Sequence, residues 1–339
     1  MKALLWLGPE NMVLEELDVP EAKPDEVLVK VESVGICGSE IEGFLGHNSL
    51  RVPPLVMGHE FCGIITELGK DVRHLKAGSK VVVNPVISCG QCARCRLGLV
   101  NLCDKRQVIG IHRPGAFAEY VAVPASAIHV IPDHLKPNRA ALAEPLACCL
   151  RAAKRAVALR PLANVLVYGA GTIGLLSGLV AKMLGADKVI ILDPNAERLE
   201  TAKKAGIDYA LNPGTQDIPE LIKEIAGEKG IDVIIDAAGF KPTRTQAFEL
   251  INPGGVIMNI GLGIDETPLR INHLIRSEIT VLGSFCYDKQ DFHESVQLLA
   301  DGKISEEGWS AVRSIEQGAE TFHALVAGKV AESKIFLNF

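Results

Sequence analysis

His59 and Glu60, adjacent in Gly58-His59-Glu60, put an imidazole and a carboxylate side by side on one short stretch of chain. Both are metal-capable. A thiolate donor, Cys37 in Gly35-Ile36-Cys37-Gly38-Ser39-Glu40, lies upstream, and another carboxylate, Glu144 in Ala143-Glu144-Pro145-Leu146, lies downstream. A zinc ion that keeps one position open for water or substrate is typically held by three protein ligands of mixed Cys, His and carboxylate type. Taken singly, each residue has a blander reading, since an isolated Glu usually sits on a solvated face and an isolated Cys in a core. Together they supply a complete set.

Four of the nine cysteines crowd into Cys89, Cys92, Cys95 and Cys103. In a reducing compartment such crowding points to metal rather than to disulfides. Four thiolates at this spacing can close a tetrahedral zinc site with no open position, which makes it structural. An iron-sulfur cluster is the chemical competitor.

A third motif is Gly169-x-Gly171-x-x-Gly174, which follows the apolar run Asn164-Val165-Leu166-Val167-Tyr168 and opens an apolar helix that includes Thr172 and Ile173. Strand, glycine turn and helix in that order form a dinucleotide fingerprint. Gly169 permits the tight turn, Gly171 lets backbone amides approach a pyrophosphate, and Gly174 lets helix and strand pack closely. Helix N-terminal amides then hold the phosphates. Asp193 ends the next strand, 19 residues past the last glycine. Its carboxylate can accept from both adenosine ribose hydroxyls and would repel a 2'-phosphate, so NAD is favoured over NADP. Lys188 and Arg198 nearby leave room for some NADP use.

Two different scaffolds must hold these groups. Up to about residue 145 the chain is β-rich with many Gly and Pro turns, which fits a partly open barrel. Strands are expected over 27–34, 63–69, 80–84 and 115–123, with a loop over 38–57. After Glu144-Pro145 the character changes. A helical stretch over 146–159 leads into strands at 164–168, 189–193, 232–236, 256–260 and 278–283, separated by helices. Alternation of this kind means a parallel doubly wound sheet. The final Ser333-Lys334-Ile335-Phe336-Leu337 is β-like with no helix after it, and is expected to return to the first scaffold.

Length and composition bound the rest. A chain of 339 residues suggests two domains. Hydrophobic residues at 48% and charged residues at 22% describe an ordinary globular protein. A net charge of -6 gives no footprint for nucleic acid. The apolar opening Lys2 to Leu7 stops at Gly8-Pro9, too short for a signal peptide, and no run is long enough to span a membrane. The expected location is the cytoplasm.

Assembled, these residues resemble the zinc-dependent medium-chain dehydrogenases, and among them the sorbitol and polyol dehydrogenase branch. The resemblance rests on Gly58-His59-Glu60 with Gly63, Gly69 and Val72, on Cys37-Gly38-Ser39, on the four-cysteine lobe, on Glu144-Pro145-Leu146 and on the nucleotide fingerprint. It implies a groES-like β-rich catalytic domain from 1–147 and 289–339, with a structural-zinc lobe at 88–104, and a Rossmann domain inserted at 148–288. It implies Cys37, His59 and Glu144 as catalytic zinc ligands, with Glu60 binding directly or by exchange with water. Two zinc ions per chain, a homodimer or homotetramer, and nicotinamide contacts from Ile260, Gly261, Leu262, Ser284 and Phe285 follow from the same resemblance. So does Ser39 as the first member of a proton relay. Glutamate at position 144 is the polyol and threonine dehydrogenase pattern, whereas alcohol dehydrogenases place a cysteine there.

The chain departs from the pattern twice. Many members carry a histidine five residues after the cysteine, where this chain has Glu42; sorbitol dehydrogenases commonly place an arginine where it has Cys286. Glu42, Phe44, His47 and Tyr287 are the expected substrate-side residues. The implied activity is NAD-dependent oxidation of a secondary hydroxyl of a polyol to a ketose, reversibly. Oxidation by an L-threonine 3-dehydrogenase-like enzyme and a non-catalytic NAD-binding homologue are the alternatives. The first ranks lower because its usual Cys-Gly-Thr-Asp-x-His segment reads Cys37-Gly38-Ser39-Glu40-Ile41-Glu42 here.

Overall fold

The computed structural model describes residues 1–339. Its strands sort by composition. The run Asn164–Tyr168 is apolar throughout and fully buried, as a strand covered by helices on both faces must be. It lies inside a six-stranded, all-parallel sheet with Lys188–Leu192 on one side and Ile231–Asp236 on the other. Tyr209–Leu211 lies beyond the first, and Ile251–Asn259 and then Thr280–Gly283 beyond the second. Counted in chain order this is 3-2-1-4-5-6, the doubly wound dinucleotide-binding order. The order reverses between Asn164–Tyr168 and Ile231–Asp236, which opens a crevice at their carboxyl ends, where the glycine turn begins.

The other large sheet is mostly antiparallel. Glu26–Gly35 is its spine, pairing with Glu60–Leu68, Tyr120–Pro124 and Lys334–Asn338. Two register pairs decide what this sheet can build. Gly35 lies opposite Glu60 and also opposite Phe336. The end of one strand, the start of the next and the expected C-terminal return strand therefore meet at one point. The sheet is the groES-like half of the fold, and with the doubly wound sheet it makes the expected α/β class.

The helix Ala143–Val157 joins the two sheets. One core cluster of 40 buried residues contains its apolar face together with Cys62, Val82 and Phe336 of the antiparallel sheet and Val165, Val233 and Val256 of the parallel one. Its first turn, with Glu144, thus faces the antiparallel sheet. No helix is long and apolar enough to cross a membrane.

Two local expectations need correction. The segment 38–57, expected as loop, contains the helix Gly38–Phe44 and the short strand Leu55–Val56. Gly-Ser-Glu-Ile-Glu-Gly-Phe has no apolar period, and the helix is held by tertiary contact instead: Phe44 is fully buried, its ring centroid 5.4 Å from that of Phe322. Of 115–123 only the last four residues are strand, the start of Tyr120–Pro124. The preceding residues cross over Gly58, with the Gly115 amide donating to Val56 O at 2.7 Å and the Phe117 amide to Met57 O at 2.9 Å.

That crossing fixes Gly58. Its φ is +99°, and a Cβ there would stand 2.6 Å from the Phe117 amide nitrogen. Gly58→Ala is expected to cost about 2 kcal/mol or more and to lower the melting temperature measured by calorimetry. Unchanged melting would show that this crossing does not constrain the His59 loop.

Candidate active site

Cys37 caps the helix Gly38–Phe44 just beyond the end of Glu26–Gly35, while His59 and Glu60 begin the strand paired with it. One ligand atom from each of Cys37, His59 and Glu60 lies within 4.8 Å of the others. Glu144 is buried beside this group but outside that distance. Glu40 holds the site from beneath. It is fully buried, its Oε1 lies 2.8 Å from His59 Nδ1 and accepts from the Gly58 amide at 2.8 Å, and its Oε2 accepts from the Cys37 amide at 3.0 Å. With Nδ1 turned to Glu40, His59 Nε2 is the nitrogen left to meet a metal.

The donor chemistry fits a divalent cation. A thiol and two carboxyl groups converge in a buried place, where uncompensated negative charge is costly. Burial pushes the Glu144 carboxyl up to about 7, with His59 pulling it down and Glu60 pushing it further up. Lys334 offsets part of the charge: its ammonium contacts Glu60 Oε2 and donates to Ile36 O at 2.9 Å, both side chains being buried. Gly35 makes room for this pair, since a Cβ there would lie 2.5 Å from Glu60 Oε2 and 2.6 Å from Lys334 Cε.

The four lobe cysteines form a second cluster. Their sulfurs lie 4.0 Å apart for Cys89 and Cys95, 3.5 Å for Cys92 and Cys95, and 3.9 Å for Cys92 and Cys103. A tetrahedron with zinc-sulfur bonds of ~2.3 Å has edges of about 3.8 Å. Backbone amides already point at the sulfurs, those of Cys95 and Asp104 drawing the Cys92 thiol down to about 6.

At the crevice of the parallel sheet, Gly169 has φ +96° and a Cβ on Gly174 would stand 1.8 Å from Gly169 O. Asp193 is buried, its carboxylate accepting from the Ala170 and Asn195 amides at 2.8 Å each. Gly169, Gly171, Asp193 and Arg198 line a cavity of about 710 Å³. An adjoining cavity of about 400 Å³ is lined by Gly171, Thr172, Ile173 and Gly174 from one sheet's side and by Gly38 and Glu42 from the other. The glycine turn therefore opens towards the helix that Cys37 caps. Ile260, Gly261, Leu262, Ser284 and Phe285 lie apart from the turn, lining a third cavity of about 630 Å³ at the ends of the last two parallel strands.

Comparison with known proteins gives the family. Residues 23–133 match the alcohol dehydrogenase GroES-like domain and residues 172–301 the zinc-binding dehydrogenase domain. The chain is 35% identical to a sorbitol dehydrogenase of Bacillus subtilis over 310 residues, 90% of this chain and 87% of that one. The chain belongs to the zinc-dependent medium-chain dehydrogenases. Among solved structures, galactitol-1-phosphate dehydrogenase from Escherichia coli superposes with a TM-score of 0.92 at 29% identity, covering 100% of both chains. An alcohol dehydrogenase of Escherichia coli CFT073, complexed with NADH, superposes at 0.91 with 31% identity, covering 100% of this chain and 99% of that one.

The substrate-side expectations divide in this dehydrogenase. Glu42 and His47 are exposed, with Glu42 Oε2 3.0 Å from His47 Nδ1. Phe44 does not face a substrate; it belongs to the core described above. Tyr287 is also buried, and its hydroxyl has no hydrogen bond of ordinary length. Burial first, and then the neighbouring Glu144 charge, hold that phenol well above the usual range.

Three buried charged residues around the site escaped the sequence reading: Glu40, Lys334 and Arg51. Burial pushes the Glu40 carboxyl up, but His59 and Arg51 more than offset it and hold the group below the usual carboxylate range. Arg51 is 3% exposed. It lies across Gly43, where a Cβ would come within 2.6 Å of its Cδ, and its Nη2 donates to Ser39 Oγ at 3.3 Å. An arginine cannot accept, so Ser39 must direct its own proton elsewhere. In this structure it points to Cys37 Sγ, 3.4 Å away.

Replacing Glu40 with Ala unties His59 and strands two buried amides. Zinc affinity measured by chelator competition is expected to fall about 10- to 100-fold; wild-type affinity would show that Glu40 does not orient the ligand. Cys95→Ser is expected to remove one zinc per chain by elemental analysis and to lower the melting temperature.

Proposed function

We propose that this dehydrogenase oxidises a secondary hydroxyl of a sugar alcohol to a ketose with NAD, and that the reaction runs in both directions. The observation that carries the reading is the convergence of Cys37, His59 and Glu60, with Glu144 beside them, next to a cavity that runs from Ile36 and Gly38, the neighbours of Cys37, to the glycine turn. The glutamate at position 144 and the sorbitol and galactitol-1-phosphate dehydrogenases among its relatives support a polyol over a simple alcohol. The same reading divides the chain into a catalytic domain of 1–147 and 289–339 and a cofactor domain of 148–288. It places the enzyme in the cytoplasm as a homodimer or homotetramer.

Cys37, His59 and Glu144 would hold the catalytic zinc, with Glu60 exchanging between it and Lys334. Bound there, zinc supplies Lewis acidity that makes a nearby hydroxyl far more acidic, beside the NAD that accepts hydride. Glu40 fixes the tautomer and angle of His59. Arg51 occupies one lone pair of Ser39 and leaves its proton free to turn from Cys37 towards a substrate oxygen, the first position of a proton path. The second zinc ties Cys89, Cys92, Cys95 and Cys103 and serves stability.

Asp193 is the residue that favours NAD. Each of its oxygens gives one lone pair to a backbone amide and keeps another for a ribose hydroxyl. Asp193→Ser is expected to reduce kcat/KM for NAD by about tenfold or more with little loss for NADP. Retained preference for NAD would remove Asp193 from that role.

The reading is tested by following NADH absorbance over a panel of hexitols, pentitols and their phosphates, before and after a chelator. Turnover on at least one secondary alcohol, lost on chelation and restored by zinc, is expected. Zinc-independent turnover, or none on any secondary alcohol, would overturn it.

A further inference from the structure

The cavity of about 630 Å³ at the ends of the last two parallel strands is strongly one-signed. Three arginines line it, Arg151, Arg155 and Arg244, against one carboxylate, Asp265, and the guanidinium of Arg106 stands beside it, 4.7 Å from the centre of the Phe285 ring. We propose that the polyol substrate carries an oxyanion, phosphate or carboxylate, at the end away from the oxidised hydroxyl, and that Arg155 and Arg106 bind it. This inference rests on the dehydrogenase reading above and names the substrate class of that site.

The helix Ala143–Val157 connects this cavity to the metal group. Glu144, Cys148, Arg151 and Arg155 follow one another at spacings of four, three and four, so they share one helix face. At 1.5 Å per residue, Arg151 stands roughly 10 Å and Arg155 roughly 16 Å along the axis from Glu144. Helical side chains lean towards the N-terminus, which brings the guanidinium groups nearer to Glu144 than these rises. Such an interval suits a sugar alcohol extended between them. A second connection runs through the turn at Cys286, where φ is +48°: Phe285 lines the cavity and Tyr287 is buried beside Glu144. Burial pushes the Cys286 thiol up to about 12, Glu144 pushes the same way and Arg106 opposes it, so this thiol lies within reach of both.

The unsatisfied atoms here are mostly donors. Ser284 is buried and its Oγ has no partner, Nε of Arg151 and Nε of Arg106 are buried without a hydrogen bond, and Asn101 Oδ1 is the one unpaired acceptor on the cavity wall. The cations differ in what holds them. Arg151 is held by Asp288 and Asp291 at 2.8 and 3.0 Å, and Arg244 Nε faces Asp236 Oδ2 at 3.6 Å. Arg155 and Arg106 make no ion pair. Each donates from Nη1 to a backbone carbonyl, Gly283 O and Asn101 O respectively, at 2.7 Å, and keeps its other N–H groups.

The dinucleotide does not account for this set of groups. An oxidised nicotinamide ring is itself a cation, and the pyrophosphate belongs at the glycine turn, so NAD has no oxyanion to place among these arginines. A neutral polyol offers only hydroxyls and leaves both guanidinium groups without a counter-charge. A substrate oxyanion supplies that charge together with the acceptors that Ser284 and the arginines lack.

The test is kcat/KM with saturating NAD over three matched sets: neutral pentitols and hexitols, their terminal phosphates, and the corresponding aldonates. At least one oxyanion-bearing substrate is expected to exceed its neutral parent about tenfold or more, mainly through a lower KM, and that lead should shrink as salt is raised. Whether a phosphate or an aldonate leads identifies the oxyanion. Arg155→Ala and Arg106→Ala should each cut the lead about tenfold through KM, and calorimetric titration of the leading substrate with NADH present, where no turnover occurs, should show the same loss of affinity. Neutral polyols turned over as well as every oxyanion-bearing one, or a lead unchanged in both variants, would overturn this inference and leave the parent reading standing. Absence of zinc-dependent turnover on all three sets would overturn the parent reading and this one with it.

Discussion

Negative charge gathered out of water is the condition around which this molecule is arranged. Cys37, Glu60 and Glu144 converge where solvent cannot screen them, and each is delivered by a different element. The structure meets the resulting repulsion with compensating cations. Lys334 contacts Glu60 and Arg51 lies behind Ser39, while the His59 ring turns Nδ1 to Glu40 and keeps Nε2 for a metal. Burial opposes a charge on His59, yet Glu40 and then the neighbouring Cys37 side chain reverse the balance and hold the ring well above its ordinary value. A divalent cation suits such a place because it removes the repulsion directly.

The same constraint explains why the site is rigid. Glu40 serves three donors at once, so a shift of the Cys37 loop, the Gly58 turn or the His59 ring disturbs the other two. The close approaches at Gly35 and Gly58 leave no volume in which such shifts could be absorbed. The cofactor side is built likewise, with Gly174 against Gly169 and Ser333 Oγ donating to Ala170 O at 2.8 Å. Ser333 and Lys334 are neighbours, so one short segment touches both the glycine turn and the acid cluster.

Sequence reasoning reached the α/β fold because both scaffolds announce themselves locally. An all-apolar strand, a glycine turn and an apolar helix can be read at Asn164 to Leu184 without knowing what lies elsewhere, and the return of the last strand followed from its having no helix after it. Cys37 and His59 were readable as ligand candidates because each is a metal-capable side chain next to a glycine at a β-strand boundary. What stayed hidden depends on distant partners. Lys334 is 274 residues from Glu60, and nothing near it in the chain distinguishes it from a solvated lysine. Arg51 and Glu40 look like loop polar residues until the helix Gly38–Phe44 is seen, and that helix has no periodic signal of its own. Phe44 misled for the same reason, since an aromatic on an expected loop reads as a ligand contact when its true neighbour, Phe322, is far along the chain.

Lys334 sits on a strand whose partners on its two sides are Ser310–Ser314 and Glu26–Gly35. Side chains alternate between faces along a strand, so a slip of one residue would turn its ammonium to the opposite face. Strand alignment in the antiparallel sheet is thereby tied to charge balance: a misaligned sheet would leave Glu60 without its counter-ion and would also turn Ile335, Phe336 and Leu337 out of the cores they fill.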